Sequence, residues 1–372
     1  MTVYYSIVIY VIIIIGLSYW ARDKQIIAGK YHIDKDYMAL FFISVWLILV
    51  SGLRYRVGTD YNAYIINYPL YKNIKFQSFG SRIVAILSSW IKDDYSTWFF
   101  LMAFLTIGLS IYSISKKKEY WPLTILLYIL MGFWHASFNI VKQCMAMAIL
   151  LACQDFLLEK KFLKWMFACF IATLFHVSAI IMIPVYFLVT RKINKRQIIL
   201  LVIVGVVISI GYEPLFDIMA FLKSNEGMES INSSVGSREV NILRVIVNVL
   251  PAILMVPLRK EYKKTEYDEI RKIHTFNRET EIPYGAELTL WSNFSLLNAV
   301  ICIAAQNSVY LTRFSNYTGI FNIFFIPFAL KYMDLKRKRV IYFALISCYF
   351  VFWIYDLSKG STTVDFHWIF ER

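Results

Sequence analysis

The run Tyr37-Met-Ala-Leu-Phe-Phe-Ile-Ser-Val-Trp-Leu-Ile-Leu-Val-Ser-Gly-Leu53 holds no charged side chain from one end to the other. A helix of that length is about 25 Å long at 1.5 Å per residue, most of the roughly 30 Å hydrocarbon core of a bilayer. Apolar runs recur at 3–20, 96–115, 121–135, 136–157, 162–190, 197–212, 242–258, 286–306, 314–330 and 340–357. Polar, charged or Gly/Pro-bearing stretches separate most of them. The pattern predicts an all-α, polytopic integral membrane protein of about ten transmembrane helices, with residues 1–372 forming a single membrane domain.

Composition leads the same way. Of 372 residues, 59% are hydrophobic and only 17% charged, and mean hydropathy is +0.55. Soluble domains of this length are not so apolar. A net charge of +14 would suit nucleic acid, but the basic residues fall in short clusters between apolar runs. That is the pattern of positive-inside topology, so membrane lipid is the expected partner and nucleic acid is not. Cys144, Cys153, Cys169, Cys302 and Cys348 all lie in apolar runs and form no CxxC or Cys/His pattern. They read as small packing residues, with no metal and no cofactor implied. The first run, Val3 to Trp20, has no basic region ahead of it and no small-residue cleavage site, so it reads as a retained segment.

Lysine and arginine set the orientation. Arg22, Lys24, Lys30 and Lys35, then Lys116 to Lys118, then Lys160, Lys161 and Lys164, then Lys336 to Arg339 mark the cytoplasmic side, together with the mixed-charge loop 259–283. Loops 54–95 and 213–240 and both termini then face outward. Were 162–190 one crossing, Arg191, Lys192, Lys195 and Arg196 would lie outside. A short hairpin broken near His176 and Ser178 keeps them inside. Each arm is then about 20 Å long, so its tip sits at membrane depth, which is tolerated only where it lines a polar cavity. Residues 79–91 are too short to span and mix apolar with small polar residues, as an interfacial helix does. The acidic loop 213–240 fits either a lid over a site or a solvated loop.

Directly after the opening run stands Gly52-Leu-Arg-Tyr-Arg-Val-Gly-Thr-Asp-Tyr-Asn-Ala-Tyr64. Arg54 and Arg56 offer fixed forks of donors suited to phosphate, Asp60 adds a carboxylate four residues on, and Gly58 supplies a flexible joint. The bland alternative is an interfacial anchor, with Tyr61 and Tyr64 in an aromatic belt. The stretch resembles the signature after the second membrane segment of the EpsG family, proteins similar to Wzy-type polymerases of bacterial surface polysaccharide.

Three more blocks follow in that family's order. Phe138-Asn139-Ile-Val-Lys142-Gln143 resembles its Asn-x-x-Arg-Gln element, with a lysine in the arginine's place, which keeps a charge and loses the bidentate fork. Thr173-Leu-Phe-His176-Val-Ser178-Ala-Ile resembles its Phe-His-x-Ser-Ala element, and Leu311-Thr-Arg313-Phe-Ser-Asn-Tyr317 continues the likeness to about Pro327. Singly, Lys142 would snorkel to the interface, His176 would be a satisfied core residue, and Arg313 or Arg244 would anchor a helix end. Together Arg54, Arg56, Lys142, Arg244 and Arg313 set cations on the outer side against the positive-inside bias. An anionic ligand presented from the outer leaflet explains the set, and pyrophosphate is the natural one.

The resemblance implies a glycosyltransferase that polymerises oligosaccharide repeats carried on polyprenyl pyrophosphate. It would work on the outer face of the bacterial cytoplasmic (inner) membrane, building O-antigen, capsule or exopolysaccharide. A leaving group charged from the start needs cationic clamps rather than a metal, and the external loops hold no DxD motif. In these terms Arg54, Arg56, Lys142, Arg313 and Arg244 hold pyrophosphate, and Asp60 or His176 activates the acceptor. Tyr61, Tyr64, Asn139, Gln143 and Ser178 then contact substrate. A chain-length regulator and a flippase are the further partners implied. Two other classes compete: a flippase, which would show pseudo-symmetric halves, and a polytopic acyltransferase, which would need its histidine near a cytoplasmic donor site.

Overall fold

The computed structural model describes residues 2–21, 27–28, 31–32, 34–71, 79–192, 196–197, 199–201, 203, 205–207, 241–255, 258, 284–305, 309–333, 335–359 and 366–371. The expected loops 213–240 and 259–283, and Arg22, Lys24 and Lys30, lie outside these residues. The protein is an all-α membrane protein. Two compact units divide the chain: Met1–Pro184 with Ala344–Arg372, and Val185–Phe343.

The first unit opens with α1 (Thr2–Trp20), a two-residue hairpin of β1 (Ile27–Ala28) and β2 (Tyr31–His32), and α2 (Lys35–Gly52). It continues through β3 (Arg54–Tyr55), α3 (Tyr61–Tyr71), α4 (Phe79–Ile91) and α5 (Tyr95–Ser115). Then come α6 (Trp121–Leu130), α7 (Phe133–Ala136), α8 (Val141–Ala152), α9 (Asp155–Leu158) and α10 (Phe162–Phe175), a 3-10 turn at Val177–Ile181, and the start of α11 (Met182–Val189), which passes into the second unit at Val185. The second unit holds α12 (Ile242–Ile253), α13 (Tyr284–Ala304), α14 (Val309–Gly319) and α15 (Asn322–Lys331). In α16 (Leu335–Lys359) the part from Ala344 onward returns to the first unit, which closes with β4 (His367–Trp368). Among the described helices, α1, α2, α5, α13 and α16 are long and apolar enough to cross a membrane.

Side chains cap these helices where the sequence offers them. The Asp34 carboxylate accepts from the Asp36 N–H at 3.0 Å to start α2, and Asp94 does the same for Ser96 at 3.5 Å to start α5. Each satisfies one donor that a helix N-terminus leaves open. α2 and α5 run antiparallel and close together at Gly52, where a Cβ would come within 2.7 Å of the Phe100 ring. α8 runs parallel to α5, tied to it by Ser113 Oγ donating to Leu151 O at 2.8 Å. One end of this packed group carries the ion pairs Lys116–Asp155 (2.7 Å) and Lys118–Asp34 (2.6 Å). The opposite end carries the signature loop.

The expected broken hairpin is present. α10 stops at Phe175, His176 takes an extended backbone at φ −149°, and the chain turns through the 3-10 segment. Trp165 Nε1 donates to Met182 O at 2.8 Å. In one straight helix those residues would stand about 25 Å apart, so the 3-10 segment brings the chain back beside α10. The expected runs 121–135 and 136–157 are likewise divided, the helix stopping at Gly132 (φ +91°) and again ahead of Val141.

α4 is the interfacial helix expected from its sequence, and its small residues face inward. Gly80, Ser81, Val84, Ala85 and Ser88 are buried, while Phe79, Ile83, Leu87, Trp90 and Ile91 are exposed. A soluble helix would do the opposite; a bulky apolar outer face is what a helix at a lipid boundary presents.

In the second unit the expected run 314–330 is two helices, broken where Gly319 presses on Asn298, its would-be Cβ 3.0 Å from Asn298 Oδ1. Phe294 stacks on Phe321 with centroids 3.9 Å apart, and Trp291 stacks on Phe324 at 5.8 Å. The Asn293 amide donates to the carbonyls of Leu188, Val189 and Arg191 at 3.3, 3.1 and 2.7 Å, serving groups that the end of α11 leaves open.

Candidate functional site

The signature loop turns on two residues in the left-handed region, Arg56 at φ +54° and Gly58 at φ +110°. Gly58 is required there twice over. Its φ disfavours any side chain, and a Cβ would lie 2.7 Å from Phe138 O and 2.8 Å from Asn139 Oδ1. The first and second sequence blocks therefore touch at this glycine. α3 then starts with Tyr64 N donating to Asp60 O at 3.1 Å.

The two arginines face opposite ways. Arg54 is 2% exposed. Its Nη1 donates to Ser51 O, its Nη2 donates to Phe138 O at 3.3 Å, and its Nε is buried with no hydrogen-bond partner among the described residues. The guanidinium carbon lies 4.7 Å from the Phe99 ring centroid and 5.0 Å from that of Phe138. No carboxylate pairs with it among the described residues. Burial pulls its pKa down to about 10, so it remains a cation at neutral pH. Arg56 is exposed, and its guanidinium sits 5.2 Å over the Tyr55 ring.

Lys142, in the first turn of α8, holds Nζ 5.5 Å from the Tyr71 ring centroid. Asn139 Oδ1 is buried beside Gly58 without a hydrogen-bond partner, and Gln143 is 1% exposed. Asp60 is half-buried. Among the described residues its carboxylate accepts only from Thr59 Oγ1, at 3.5 Å, and no ion pair joins it to Arg56. Tyr61 and Tyr64 turn inward, Tyr61 stacking on Phe99 at 4.6 Å and Tyr64 meeting Trp98 at 5.6 Å. His176 Nδ1 lies 2.6 Å from Ser178 Oγ, and the turn they share packs against α10 and α8. Arg244 and Arg313 belong to the second unit, where both are exposed.

Blocks one and two thus share one corner of the first unit, and block three packs on the same helix, α8. The motif that matches the EpsG family model extends over residues 37–368. The chain belongs to the EpsG family. No curated protein and no solved structure matches it. Membership gives this EpsG-family protein a polymerase-type role in the biosynthesis of a surface glycan, acting in a membrane on a lipid-linked sugar substrate.

Two polar pairs escaped the sequence reading of the EpsG-family chain. His135 Nε2 lies 3.1 Å from Asp356 Oδ2, with His135 5% exposed. Both stand inside apolar runs, where ionisable residues are rare, and that rarity was the available signal. The other pair is His367 Nδ1 with Glu371 Oε2 at 2.9 Å, on the strand that pairs with the signature loop. Nothing in so short a strand announces that pairing. Among the described residues, no group of three His, Cys, Asp or Glu side chains is arranged to hold a metal.

Proposed function

We propose that this protein joins lipid-linked oligosaccharide repeats into a surface polysaccharide on the outer face of the bacterial cytoplasmic membrane. The donor's anomeric carbon bonds to an acceptor hydroxyl oxygen, its bond to polyprenyl pyrophosphate breaks, and the pyrophosphate leaves with the electron pair. The observation that carries this reading is the buried, carboxylate-free Arg54 guanidinium behind the Gly58–Phe138 corner. A cation kept in low dielectric without a counter-charge raises the local positive potential that an anionic ligand meets.

In this reading Arg56 and Lys142 contact the pyrophosphate, and Arg54 holds the wall and adds charge from behind. For Arg313 and Arg244, exposed in the second unit, the pyrophosphate role rests on the sequence alone. Asp60 takes the acceptor proton, since its carboxylate is not spent on an ion pair with Arg56. His176, engaged with Ser178, is the second candidate for that step. Tyr61 and Tyr64 support the loop from beneath, while Asn139, Gln143 and Ser178 are offered as substrate contacts. A chain-length regulator and a flippase are the expected partners in the cell.

Deleting the gene and separating the lipid-linked glycans tests the reading. Single repeats accumulating on the outer leaflet without polymer support a polymerase. Repeats retained on the inner leaflet support a flippase instead.

A further inference from the structure

Residues Phe366–Glu371 lie along the signature loop. Arg54 stands opposite Trp368 and Tyr55 opposite His367 in an antiparallel pair, and Ile369 N donates to Leu53 O at 2.8 Å. Phe366 packs edge-on against Tyr4, which also meets Trp134 at 6.2 Å and Phe138 at 6.3 Å. The segment is therefore fixed both to the loop and to the wall that the loop leans on.

Strand geometry sorts the side chains. Residues directly opposite one another share a face, and neighbours along a strand alternate. Arg54 and Trp368 share one face, and Arg54 is buried. Tyr55 and His367 share the other, and His367 is exposed. Arg56, over the Tyr55 ring, borders the same outward patch. Glu371 Oε2, 2.9 Å from His367 Nδ1, fixes the proton on that nitrogen. In the tautomer with its proton on Nδ1, the ring offers Nε2 as a lone-pair acceptor, and this nitrogen has no partner among the described residues. Glu371 holds its own carboxyl ionised well into acid, chiefly through the His367 hydrogen bond and then through the Trp368 backbone N–H.

This patch differs in chemistry from the corner beside it. A carboxylate and a lone-pair nitrogen repel phosphate and accept hydrogen bonds from hydroxyls, and a tyrosine ring offers an apolar edge. Those are the groups suited to a neutral, hydroxyl-rich ligand. We propose that Tyr55, His367 and Glu371 form a saccharide subsite that holds the acceptor glycan next to the pyrophosphate clamp, with His367 Nε2 accepting a sugar hydroxyl. The role in polymerisation rests on the reading above; the binding site itself does not.

The test uses the full-length protein in nanodiscs, with the oligosaccharide repeat released from the host's own lipid-linked glycan as soluble acceptor and binding probe. Losing one neutral hydrogen bond weakens binding about two- to tenfold. His367→Ala and Glu371→Gln are expected to raise the acceptor KM by about that range and to weaken binding of the free oligosaccharide, measured by saturation-transfer NMR, in parallel. The donor KM should remain the wild-type one, and His367→Gln, which keeps an acceptor oxygen, should recover part of the loss. If His367→Ala accumulates poorly, Glu371→Gln decides, because it alters only an exposed pair. An unchanged acceptor KM and oligosaccharide affinity would overturn the subsite, as would a joint fall in donor and acceptor kinetics, which marks a purely structural strand. If the wild-type protein makes no polymer, the polymerase reading fails. The NMR arm then still decides the subsite: binding lost in His367→Ala supports it, and no binding to wild type refutes it.

Discussion

Replacing Gly58 with alanine puts the corner between the first two sequence blocks under direct test. At φ +110° a side chain strains the backbone, at a cost of about 1–2 kcal/mol for left-handed conformations. The added Cβ would also stand 2.7 Å from Phe138 O and 2.8 Å from Asn139 Oδ1. The first of these is backbone, so one of the two segments must move, and overpacking of that kind costs about 1–3 kcal/mol. The sum is about 2–5 kcal/mol, large beside the stability of most domains. Thermal unfolding of the purified protein, followed by tryptophan fluorescence, measures it. Gly16 in α1 and Gly108 in α5 serve as controls, since nothing lies within 4 Å of either would-be Cβ. In a helix interior each alanine is expected to be neutral or to add up to about 1 kcal/mol. Polymer yield in cells should fall for Gly58→Ala and hold for the two controls. If Gly58→Ala melts with the wild type and makes normal polymer, the loop does not rest on Phe138 and Asn139, and the site is wrongly built.

Arg54→Lys keeps a charge but cannot reach both Ser51 O and Phe138 O. It should lower the melting temperature, through hydrogen bonds worth about 1.5–3 kcal/mol each, and remove most polymerisation; full activity would reduce Arg54 to an anchor. Asp60→Asn keeps an acceptor oxygen and removes the titrating charge, so turnover should drop about a hundred- to ten-thousand-fold with lipid-linked substrate still bound. Residual turnover within about tenfold of wild type would remove Asp60 as the base. Trp165→Phe deletes the donor to Met182 O and should cost about 0.5–1.5 kcal/mol; an unchanged melt would mean the α10–α11 reversal does not depend on it. Lys192→Cys, in a variant without the native cysteines, should resist a membrane-impermeant maleimide in intact cells, and ready labelling would reverse the assigned sidedness.

Helix positions were largely legible because the hydrophobic effect writes them as local runs. α1, α2, α5, α13 and α16 follow the apolar stretches within a few residues. The broken hairpin was also legible, because the cluster from Arg191 to Arg196 constrains topology even though His176 is a weak local signal. The break at Gly319 was not, since an apolar run looks the same whether its helix continues or bends. At the site, residue types pointed to phosphate chemistry but not to the direction of each side chain. Arg54 and Arg56 are two apart on an extended segment, yet Arg56 takes a left-handed backbone that leaves one buried and the other exposed. The contacts of Tyr55 with His367, and of His135 with Asp356, span most of the chain and leave no periodic trace.

The inverted helix α4 ties the height of this corner to the bilayer itself. Bulky apolar residues of this kind settle at the boundary between headgroups and acyl chains, and that boundary moves with acyl-chain length. On its inner side Gly80 meets the Phe175 ring at the end of α10, with a would-be Cβ only 2.7 Å away. Contact so close leaves no slack to absorb a vertical shift. A thicker or thinner membrane is therefore expected to press on Phe175, the residue just before His176, through Gly80.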